Sequence, residues 1–254
     1  MGVIKIKGPD EIELMREAGR VTALALEALR RAIKPGVSTA ELNRVGEKTI
    51  RANGGEPIFL GYRGYRHATC VSVNEEVVHG IPGEKILKEG DIVSLDVGVR
   101  KQGYCGDSAA TFPVGRISGK AEKLLRAGKE VLRIGLRQAR AGKHLGDISH
   151  AIQVASESRG FSVVRDLYGH GIGREMHEDP LIPNYGPAGE GPELKPGMVL
   201  AIEPMLNVGT WRVRTLPDGW TVVTEDGALS CHFEHTIVIT AGDPEILTWL
   251  KTKT

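Results

Sequence analysis

Four carboxylates lie inside segments whose other residues are mostly apolar, and this pattern limits the possible folds more than any other feature. An isolated carboxylate taken out of water costs several kcal/mol or stays protonated, so buried acids need positive partners. No Lys or Arg interrupts these segments, which favours a bound metal cation as the partner. The four acids are Asp96 within 91–99, Asp107 within 104–114, Glu203 within 198–206 and Glu234 within 231–239.

Composition restricts the class of protein without identifying it. The chain has 254 residues, a formal net charge of +1, 26% charged and 41% hydrophobic residues, which is typical of a soluble globular protein. These values argue against nucleic-acid or membrane binding as the main task. Three separated cysteines without a C-x-x-C pair exclude a zinc ribbon and favour reduced thiols. Without a signal-peptide pattern or an apolar run of about 18 residues, the sequence predicts a cytoplasmic protein.

Helical periodicity predicts four helices, and turn signals separate them from strands. Apolar residues recur at helical spacing over 10–33, and Ser38 with Glu41 forms the capping-box pattern that opens a second helix ending near Asn53. Two more helices are predicted, over 118–140 and 145–159. Strands are predicted at 68–74, 161–165, 197–206, 211–215, 220–224 and 232–240, and a hairpin at 92–100 and 104–114 around 101–103.

The two halves of the chain repeat one order of elements. Each half has a helix, a glycine-containing turn, a second helix and then a glycine, which is Gly54 in the first half and Gly160 in the second. Because glycines commonly end helices, this repetition can also arise by chance. We interpret the chain as a single domain over 1–254, with approximate half-repeats 9–115 and 116–250 and a site between them.

The predicted hairpin brings two of the acids together. If its turn is centred near 101–102, Asp96 lies directly opposite Asp107 on one face of the sheet. Opposed side chains have Cβ atoms about 4.5–5.5 Å apart, so two carboxylates there repel unless a cation lies between them. A bulge at Gly103 would shift this register by one residue. The alternative is that Asp96 and Asp107 are strand-end acids in water.

Three histidines are candidate functional groups. His170 lies in the glycine-rich stretch 168–173, where neighbours without side chains leave the imidazole accessible to a ligand. That stretch lacks the Gly-Lys-Ser/Thr ending of a phosphate-binding loop and fits the dinucleotide fingerprint poorly. His79 and His177 lie in other segments, where a single histidine is more often a surface or core residue.

Taken together, these segments resemble the methionine aminopeptidases over nearly the whole chain. The resemblance is to the bacterial, type I form, because only 33 positions separate His170 from Glu203 and leave no room for the type II insertion. It implies an α+β fold of the pita-bread type, with pseudo-two-fold duplicated halves and a curved, mainly antiparallel sheet covered by helices. The motifs are VHGIP at 78–82, the two Asp strands, GHGIG at 169–173, HEDP at 177–180, AIEP at 201–204 and FEH at 233–235.

The resemblance implies two divalent metal ions held by five ligands. Asp107 and Glu234 would bridge the two ions, Asp96 would chelate one ion, and His170 with Glu203 would bind the other. Four carboxylates with one imidazole form an oxygen-rich site without thiolate, which suits Co, Mn, Fe or Zn.

The resemblance also assigns groups to the reaction and to the substrate. Glu203 would move the proton, His177 would contact the carbonyl oxygen, and His79 would contact the amide nitrogen of the scissile bond. A monovalent cation is expected near Asn74 and Ser230. An apolar pocket would take the methionine side chain, since aromatic and sulfur contacts suit a thioether. The predicted pocket residues are Phe59, Tyr62, Tyr65, Cys70, Met176 and Trp220.

The predicted function is therefore the co-translational removal of the N-terminal methionine from nascent proteins with a small, uncharged second residue. Water activated by the two metals would hydrolyse the bond. The expected partners are N-termini of nascent polypeptides and the ribosome, with no specific nucleic-acid sequence and no membrane, and the chain is expected to be a monomer. The alternatives are an Xaa-Pro aminopeptidase or prolidase, which carry an additional N-terminal domain, and a non-catalytic pita-bread binding protein.

Overall fold

Each half of the chain begins with two helices and continues with strands. The computed structural model describes residues 2–250, and within them all four predicted helices are present. The helices are α1 (Pro9–Ala32), α2 (Thr39–Ala52), α3 (Gly119–Gln138) and α4 (Leu145–Glu157). The strands are β1 (Glu56–Pro57), β2 (Cys70–Val73), β3 (Glu76–Val78), β4 (Ile92–Lys101), β5 (Tyr104–Pro113), β6 (Ser162–Val163), β7 (Tyr168–Gly171), β8 (Glu178–Pro183), β9 (Val199–Ile202), β10 (Met205–Asn207), β11 (Val213–Thr215), β12 (Val222–Thr224), β13 (Ser230–His232), β14 (His235–Val238) and β15 (Glu245–Ile246).

Capping groups and apolar faces determine where the helices lie. The Glu41 N–H donates to Ser38 Oγ, and the Ser38 N–H donates to the Glu41 carboxylate, as the capping-box pattern predicts. Helix α1 packs on β4 and β5 and α2 on β1 and β2, whereas α3 packs on β9, β10 and β13 and α4 on β6 and β8. Each half is thus a helix pair on a group of strands; the duplication itself stays a prediction. No helix within residues 2–250 has both the length and the hydropathy to cross a membrane.

The strands pair in four antiparallel groups. Strand β4 pairs with β5 along one edge and with β2 and β1 in succession along the other. The other groups run in the orders β13-β10-β6, β11-β12-β3 and β15-β14-β9-β7-β8. Helices covering antiparallel strands make the fold α+β, as the sequence predicts.

The β4–β5 hairpin is confirmed, but its turn lies one residue further along the chain than predicted. Lys101 pairs with Tyr104, so the turn consists of Gln102 and Gly103. These two residues have φ angles of 51° and 80°, and a two-residue hairpin turn needs this left-handed pair. Because the turn is shifted by one residue, every strand partner is shifted by two.

This shift changes how the two aspartates face each other. Asp96 pairs with Ala109, and Asp107 pairs with Gly98. The predicted direct opposition of Asp96 and Asp107 is therefore wrong. A shift of two residues preserves the face on which each side chain lies, so the aspartates are diagonal neighbours on one face.

Two of the predicted strands are each broken at an acid. The predicted strand 197–206 consists of β9 and β10, separated by Glu203 and Pro204. The predicted strand 232–240 contains the end of β13 and all of β14, separated by two residues that include Glu234. Pro204 has no N–H for a strand ladder, which explains why regular pairing stops there.

The two breaks lie across from one another. The strand pairs on both sides of the breaks keep one antiparallel register, and continuing it through the gap places Glu203 opposite Glu234. The pair of acids that face each other directly is therefore this one. The flanking pairs are Ile202 with His235 and Met205 with His232.

Candidate metal centre and its cavity

A single cavity of about 460 Å³ contains every residue that the sequence predicts to bind divalent metal or substrate. Asp96, Asp107, His170, Glu203 and Glu234 form what we call the acidic floor. Phe59, Tyr62, Tyr65, Cys70, Met176 and Trp220 form the aromatic wall, and His79 and His177 also line the cavity.

The centre of the acidic floor is a buried group of three side chains. Asp107 on β5, His170 on β7 and Glu234 between β13 and β14 are 5%, 3% and 2% exposed. One ligand atom of each lies within 4.8 Å of the others, a spacing that a metal ion can bridge. Glu203 adjoins this group, with Oε1 3.6 Å from His170 Nε2.

Hydrogen bonds between the two halves of the chain fix the backbone of the floor. The Asp107 N–H donates to Thr236 Oγ1 at 3.0 Å, and the Thr236 hydroxyl donates to the Asp107 carbonyl at 2.7 Å. In return, the Glu234 N–H donates to the Ala109 carbonyl at 2.8 Å, and the Ser108 hydroxyl donates to the Glu234 carbonyl at 2.8 Å. We call this set of contacts the hydroxyl seam. Each half therefore orients an acid of the other.

Burial makes the ionised forms of the four floor acids unfavourable. It raises the pKa of Asp96 to about 7 and that of Glu203 to about 8. Burial also holds the pKa of Asp107 and Glu234 well above their usual range, and repulsion by neighbouring carboxylates adds to this effect. A cation among these groups would favour their ionised forms.

The unpaired atoms of the floor match what a cation requires. Asp96 Oδ1 and Asp107 Oδ1 are buried and have no hydrogen-bond partner among the residues that the structure describes. His170 Nδ1 lies 2.9 Å from the Gly171 carbonyl, which can only accept, so Nδ1 carries the hydrogen and Nε2 presents a lone pair. Burial lowers the pKa of His170 to about 3, which keeps the ring neutral. The donor set therefore fits an oxygen-preferring divalent ion.

The other two predicted histidines adjoin the floor and the wall. His177 Nδ1 lies 2.8 Å from the Tyr62 hydroxyl, and its ring centroid lies 4.3 Å from that of His170. His79 has a φ of 58°, a conformation that a residue other than glycine adopts mainly where the surroundings impose it. Burial lowers the pKa of His79 to about 4 and also lowers that of His177. Both rings are therefore neutral hydrogen-bonding groups near pH 7.

The aromatic wall is held by packing and by hydrogen bonds within loops. Phe59, Tyr65, Cys70 and Met176 form one buried cluster, with Trp220 edge-on to Tyr65 at 5.0 Å between ring centroids. The Tyr65 hydroxyl reaches the carbonyls of residues 69 and 80 at 3.1 and 3.2 Å. These contacts give the cavity an apolar side next to its acidic floor.

One glycine allows the wall to approach the sheet. A Cβ at Gly98 on β4 would lie 2.6 Å from the Phe59 ring, which is closer than Cβ atoms come to other atoms. The side chain of Phe59 therefore packs directly against the backbone at Gly98. No periodicity in the sequence reveals this contact, because it joins a loop to the middle of a strand.

His232 is a residue of the cavity that the sequence prediction missed. It is 2% exposed, lines the cavity and has Nε2 3.5 Å from Glu203 Oε2. The signal that could have found it is strand alternation, which puts His232 on the same face as Glu234.

The residues predicted to lie near a monovalent cation adjoin each other but not the cavity. The Ser230 N–H donates to the Asn74 carbonyl at 3.0 Å, and Asn74 has a φ of 59°. The Asn74 side chain bonds Asp91 and the Ile92 N–H. The monovalent site stays a prediction.

Comparisons with known proteins give one consistent result. The model of "Metallopeptidase family M24" matches residues 13–241. "Methionine aminopeptidase 1" of Bacillus subtilis is 56% identical over 246 residues, which cover 97% of this chain and 99% of the relative. "Methionine aminopeptidase" of Escherichia coli K12 is 47% identical over 253 residues, covering 99% and 96%.

Solved structures agree with these relatives. Methionine aminopeptidase from Thermotoga maritima superposes with a TM-score of 0.96 at 51% identity and covers 98% of this chain and 100% of that one. Prolidase from Pyrococcus furiosus superposes with a TM-score of 0.80 at 24% identity, but the match covers 97% of this chain and only 66% of the prolidase. The second likeness concerns the fold alone, which is the pita-bread fold of the first.

Proposed function

The chain belongs to metallopeptidase family M24 and acts as a methionine aminopeptidase, and we propose that the cavity between the acidic floor and the aromatic wall is its active site. The observation that carries this proposal is the buried group of Asp107, His170 and Glu234, each with a ligand atom within 4.8 Å of the others. The substrate is the N-terminus of a polypeptide that begins with methionine.

The floor residues fit two divalent ions. Asp107 and Glu234 would bridge the ions, Asp96 would hold one of them, and His170 with Glu203 the other. The unpaired oxygens of Asp96 and Asp107 support this assignment, because a buried anionic oxygen without a donor is expensive unless a cation meets it. When bound, such a pair of ions lowers the pKa of a shared water and polarises the scissile carbonyl. Co, Mn, Fe or Zn suits this donor set.

Glu203 is the group that takes up the proton of the attacking water. Burial raises the pKa of this carboxyl to about 8 in the ion-free protein, and a bound cation would favour its ionised form, which is the form that accepts a proton. Its Oε1 lies 3.6 Å from His170 Nε2, and the proton that the carboxylate takes up would pass to the leaving amine. One carboxylate thus serves both halves of the hydrolysis.

His177 and His79 orient the scissile bond. The pairing of His177 Nδ1 with the Tyr62 hydroxyl fixes that ring, so that Nε2 can donate to the carbonyl oxygen of the bond being cleaved. His79 would contact the amide nitrogen of the same bond. Both roles need a neutral imidazole, in agreement with the lowered pKa of each ring.

The aromatic wall selects the first residue of the substrate. A methionine side chain is unbranched and polarisable, and contacts with aromatic rings and sulfur favour it. The wall offers the rings of Phe59, Tyr65 and Trp220 with the thioether of Met176. The side chain of the second substrate residue would then lie close to the floor, where only a small, uncharged group fits.

The setting of the reaction follows from the substrate. Because initiator methionine is removed from newly made chains, we infer that the protein works in the cytoplasm on nascent polypeptides near the ribosome, as a monomer. A monovalent cation near Asn74 and Ser230 would brace the strands beside the floor. Co-sedimentation with translating ribosomes tests the first inference, and the change in thermal stability on replacing Na⁺ or K⁺ with a bulky organic cation tests the second.

Two alternatives are weaker. A prolidase is disfavoured because the chain is 56% identical to a methionine aminopeptidase over 97% of its length but only 24% identical to the prolidase it superposes on. A non-catalytic binding protein is disfavoured because the five floor residues, His79 and His177 all line one cavity.

The decisive experiment is hydrolysis of Met-Ala-Ser after removal of metal with EDTA and addition of Mn, Fe, Co or Zn in turn. We expect no cleavage in EDTA and restored release of methionine with at least one ion. Leu-Ala-Ser and Ala-Pro-Ser serve as matched controls for the wall and for the prolidase alternative. Preference for Ala-Pro-Ser, or no cleavage with any ion, contradicts the proposal.

A further inference from the structure

His232 presents to the cavity a ring nitrogen that no group within residues 2–250 satisfies. The side chain is 2% exposed, and Nε2 has no hydrogen-bond partner. Buried polar side chains nearly always have a partner, so an exception inside a candidate active site requires an explanation. The carboxylate oxygen near this nitrogen is Glu203 Oε2, at 3.5 Å.

Hydrogen bonds fix the backbone that carries the His232 ring. The His232 N–H donates to Thr111 Oγ1 at 2.9 Å, and the Thr111 hydroxyl donates to the His232 carbonyl at 2.9 Å. Ser94 Oγ lies 2.7 Å from Thr111 Oγ1 and, with the Thr111 hydrogen already used, is the donor. These bonds continue the hydroxyl seam and fix the backbone position from which the imidazole lies beside Glu203.

Glu203 lies between two imidazoles, of which only one can donate to it. His170 Nδ1 donates to the Gly171 carbonyl, which leaves a lone pair on Nε2, 3.6 Å from Glu203 Oε1. A lone pair and a carboxylate oxygen repel, so this side needs a cation. His232 Nε2 faces the other oxygen and is free to carry a hydrogen.

We propose that His232 is a positioning residue for Glu203: its Nε2–H donates to Oε2 and so directs Oε1 toward the cation shared with His170. This inference rests on the proposed function, because that function makes Glu203 both a metal ligand and the group that carries the proton. It adds that the two oxygens of this carboxylate have different partners before substrate arrives.

The distance of 3.5 Å between His232 Nε2 and Glu203 Oε2 is longer than that of a formed hydrogen bond, which is roughly 2.7–3.2 Å. Catalytic hydrogen bonds are often long in the free enzyme and tighten in the working complex. Because Thr111 fixes the His232 backbone on both sides, rotation of the Glu203 or His232 side chain would close the gap. Losing this donor would leave Glu203 free to rotate away from the shared ion.

Two substitutions separate donation from packing. His232→Gln keeps an N–H close to the place of Nε2, whereas His232→Leu keeps the volume and removes the donor. We expect His232→Leu to lower kcat for Met-Ala-Ser by about 10- to 100-fold, the usual effect of losing a partner of a metal ligand, with KM changed by less than about threefold. His232→Gln should stay within about threefold of the unchanged protein. A fall in both variants, or in neither, overturns the proposal.

Two further measurements do not depend on activity. Long-range ¹H–¹⁵N spectra of the unchanged protein with Zn²⁺ added, which keeps Glu203 ionised, should show His232 with hydrogen on Nε2 and His170 with hydrogen on Nδ1; hydrogen on His232 Nδ1 overturns the proposal. Calorimetric titration with Mn²⁺ should show about tenfold weaker binding for His232→Leu and none of this loss for His232→Gln. If the unchanged protein binds Mn²⁺ and has these tautomers but does not cleave Met-Ala-Ser, the proposed function fails while the positioning role stands. The spectra also decide the matter if His232→Leu does not fold.

Discussion

The acidic floor and the aromatic wall face the same cavity but are held in different ways. The floor acids on β5 and beside β14 are fixed by backbone hydrogen bonds of 2.7 to 3.0 Å that cross between the two halves. Phe59 and Met176 of the wall lie in loops, where apolar packing holds them. Directional bonds fix positions more closely than packing does. We therefore expect the chemistry to tolerate little change and the substrate preference to be adjustable.

The largest expected effect is on the floor. Asp96→Asn keeps the shape of a side chain whose Oδ1 has no partner in the protein, so the fold should persist. Divalent-ion affinity and the rate of Met-Ala-Ser cleavage should both fall by more than about a hundredfold, since even outer partners of metal ligands contribute 10- to 100-fold. Calorimetric titration, peptide assay and thermal unfolding measure the three quantities. Intact ion binding and full activity in this variant contradict the assigned role.

The second expected effect is a dependence of unfolding free energy on pH that arises from the acids of the floor. In the ion-free protein the pKa of Asp96 is about 7 and that of Glu203 about 8, against unfolded values of about 4. The folded state then holds extra protons, so the free energy of unfolding falls as pH rises, by about 1.4 kcal/mol per pH unit for each extra proton. In EDTA, thermal unfolding should occur at lower temperature at pH 8 than at pH 5, and excess Mn²⁺ should reduce the difference. An unfolding temperature in EDTA that is equal at the two pH values, or higher at pH 8, contradicts this prediction.

The third expected effect is on the hydroxyl seam. Thr236→Val keeps the shape but leaves the buried N–H of Asp107 without an acceptor, which costs about 1–3 kcal/mol of unfolding free energy. Ion affinity should fall with it, because Asp107 loses its orientation. Thr236→Ser restores the hydroxyl and is the matched control. If the serine variant is as unstable as the valine variant, lost packing rather than the lost hydrogen bond is responsible.

The smallest expected effect is on the wall. Met176→Ala should lower kcat/KM for Met-Ala-Ser by about tenfold and narrow the preference over Leu-Ala-Ser, since losing apolar contact in a pocket is worth about 1–3 kcal/mol. Ion affinity should not change. Met198→Ala removes an equally buried methionine from the core and is the control for stability. A preference that changes equally in both variants would show that the wall does not select the substrate.

The sequence predicted the helices and the floor better than the strands. Ser38 and Glu41 act locally, so their cap could be predicted from spacing, and the acids were conspicuous because apolar neighbours surround them. The hairpin register was wrong because a turn at Gln102–Gly103 differs by only one residue from the one expected. Such a difference changes little in the pattern of apolar residues but moves every cross-strand partner.

Other features depend on contacts between distant residues. The breaks beside Glu203 and Glu234 arise because two strands change partners at the same place, and only the proline hints at this. His232 was missed because a single histidine in a strand does not reveal that Glu203 lies 3.5 Å away. The support of Phe59 by Gly98 joins residues whose relation appears only after folding.

The hydroxyl seam also bears on the order in which a new copy of the chain becomes active. Thr236, which holds Asp107, lies 129 positions after it, close to the end of the described chain. We expect a chain that ends before Thr236 to carry all four floor acids but no competent hydrolytic centre, because the N–H of Asp107 lacks its acceptor. Peptide hydrolysis then depends on a hydrogen-bonding partner that is made 129 residues after the acid it orients.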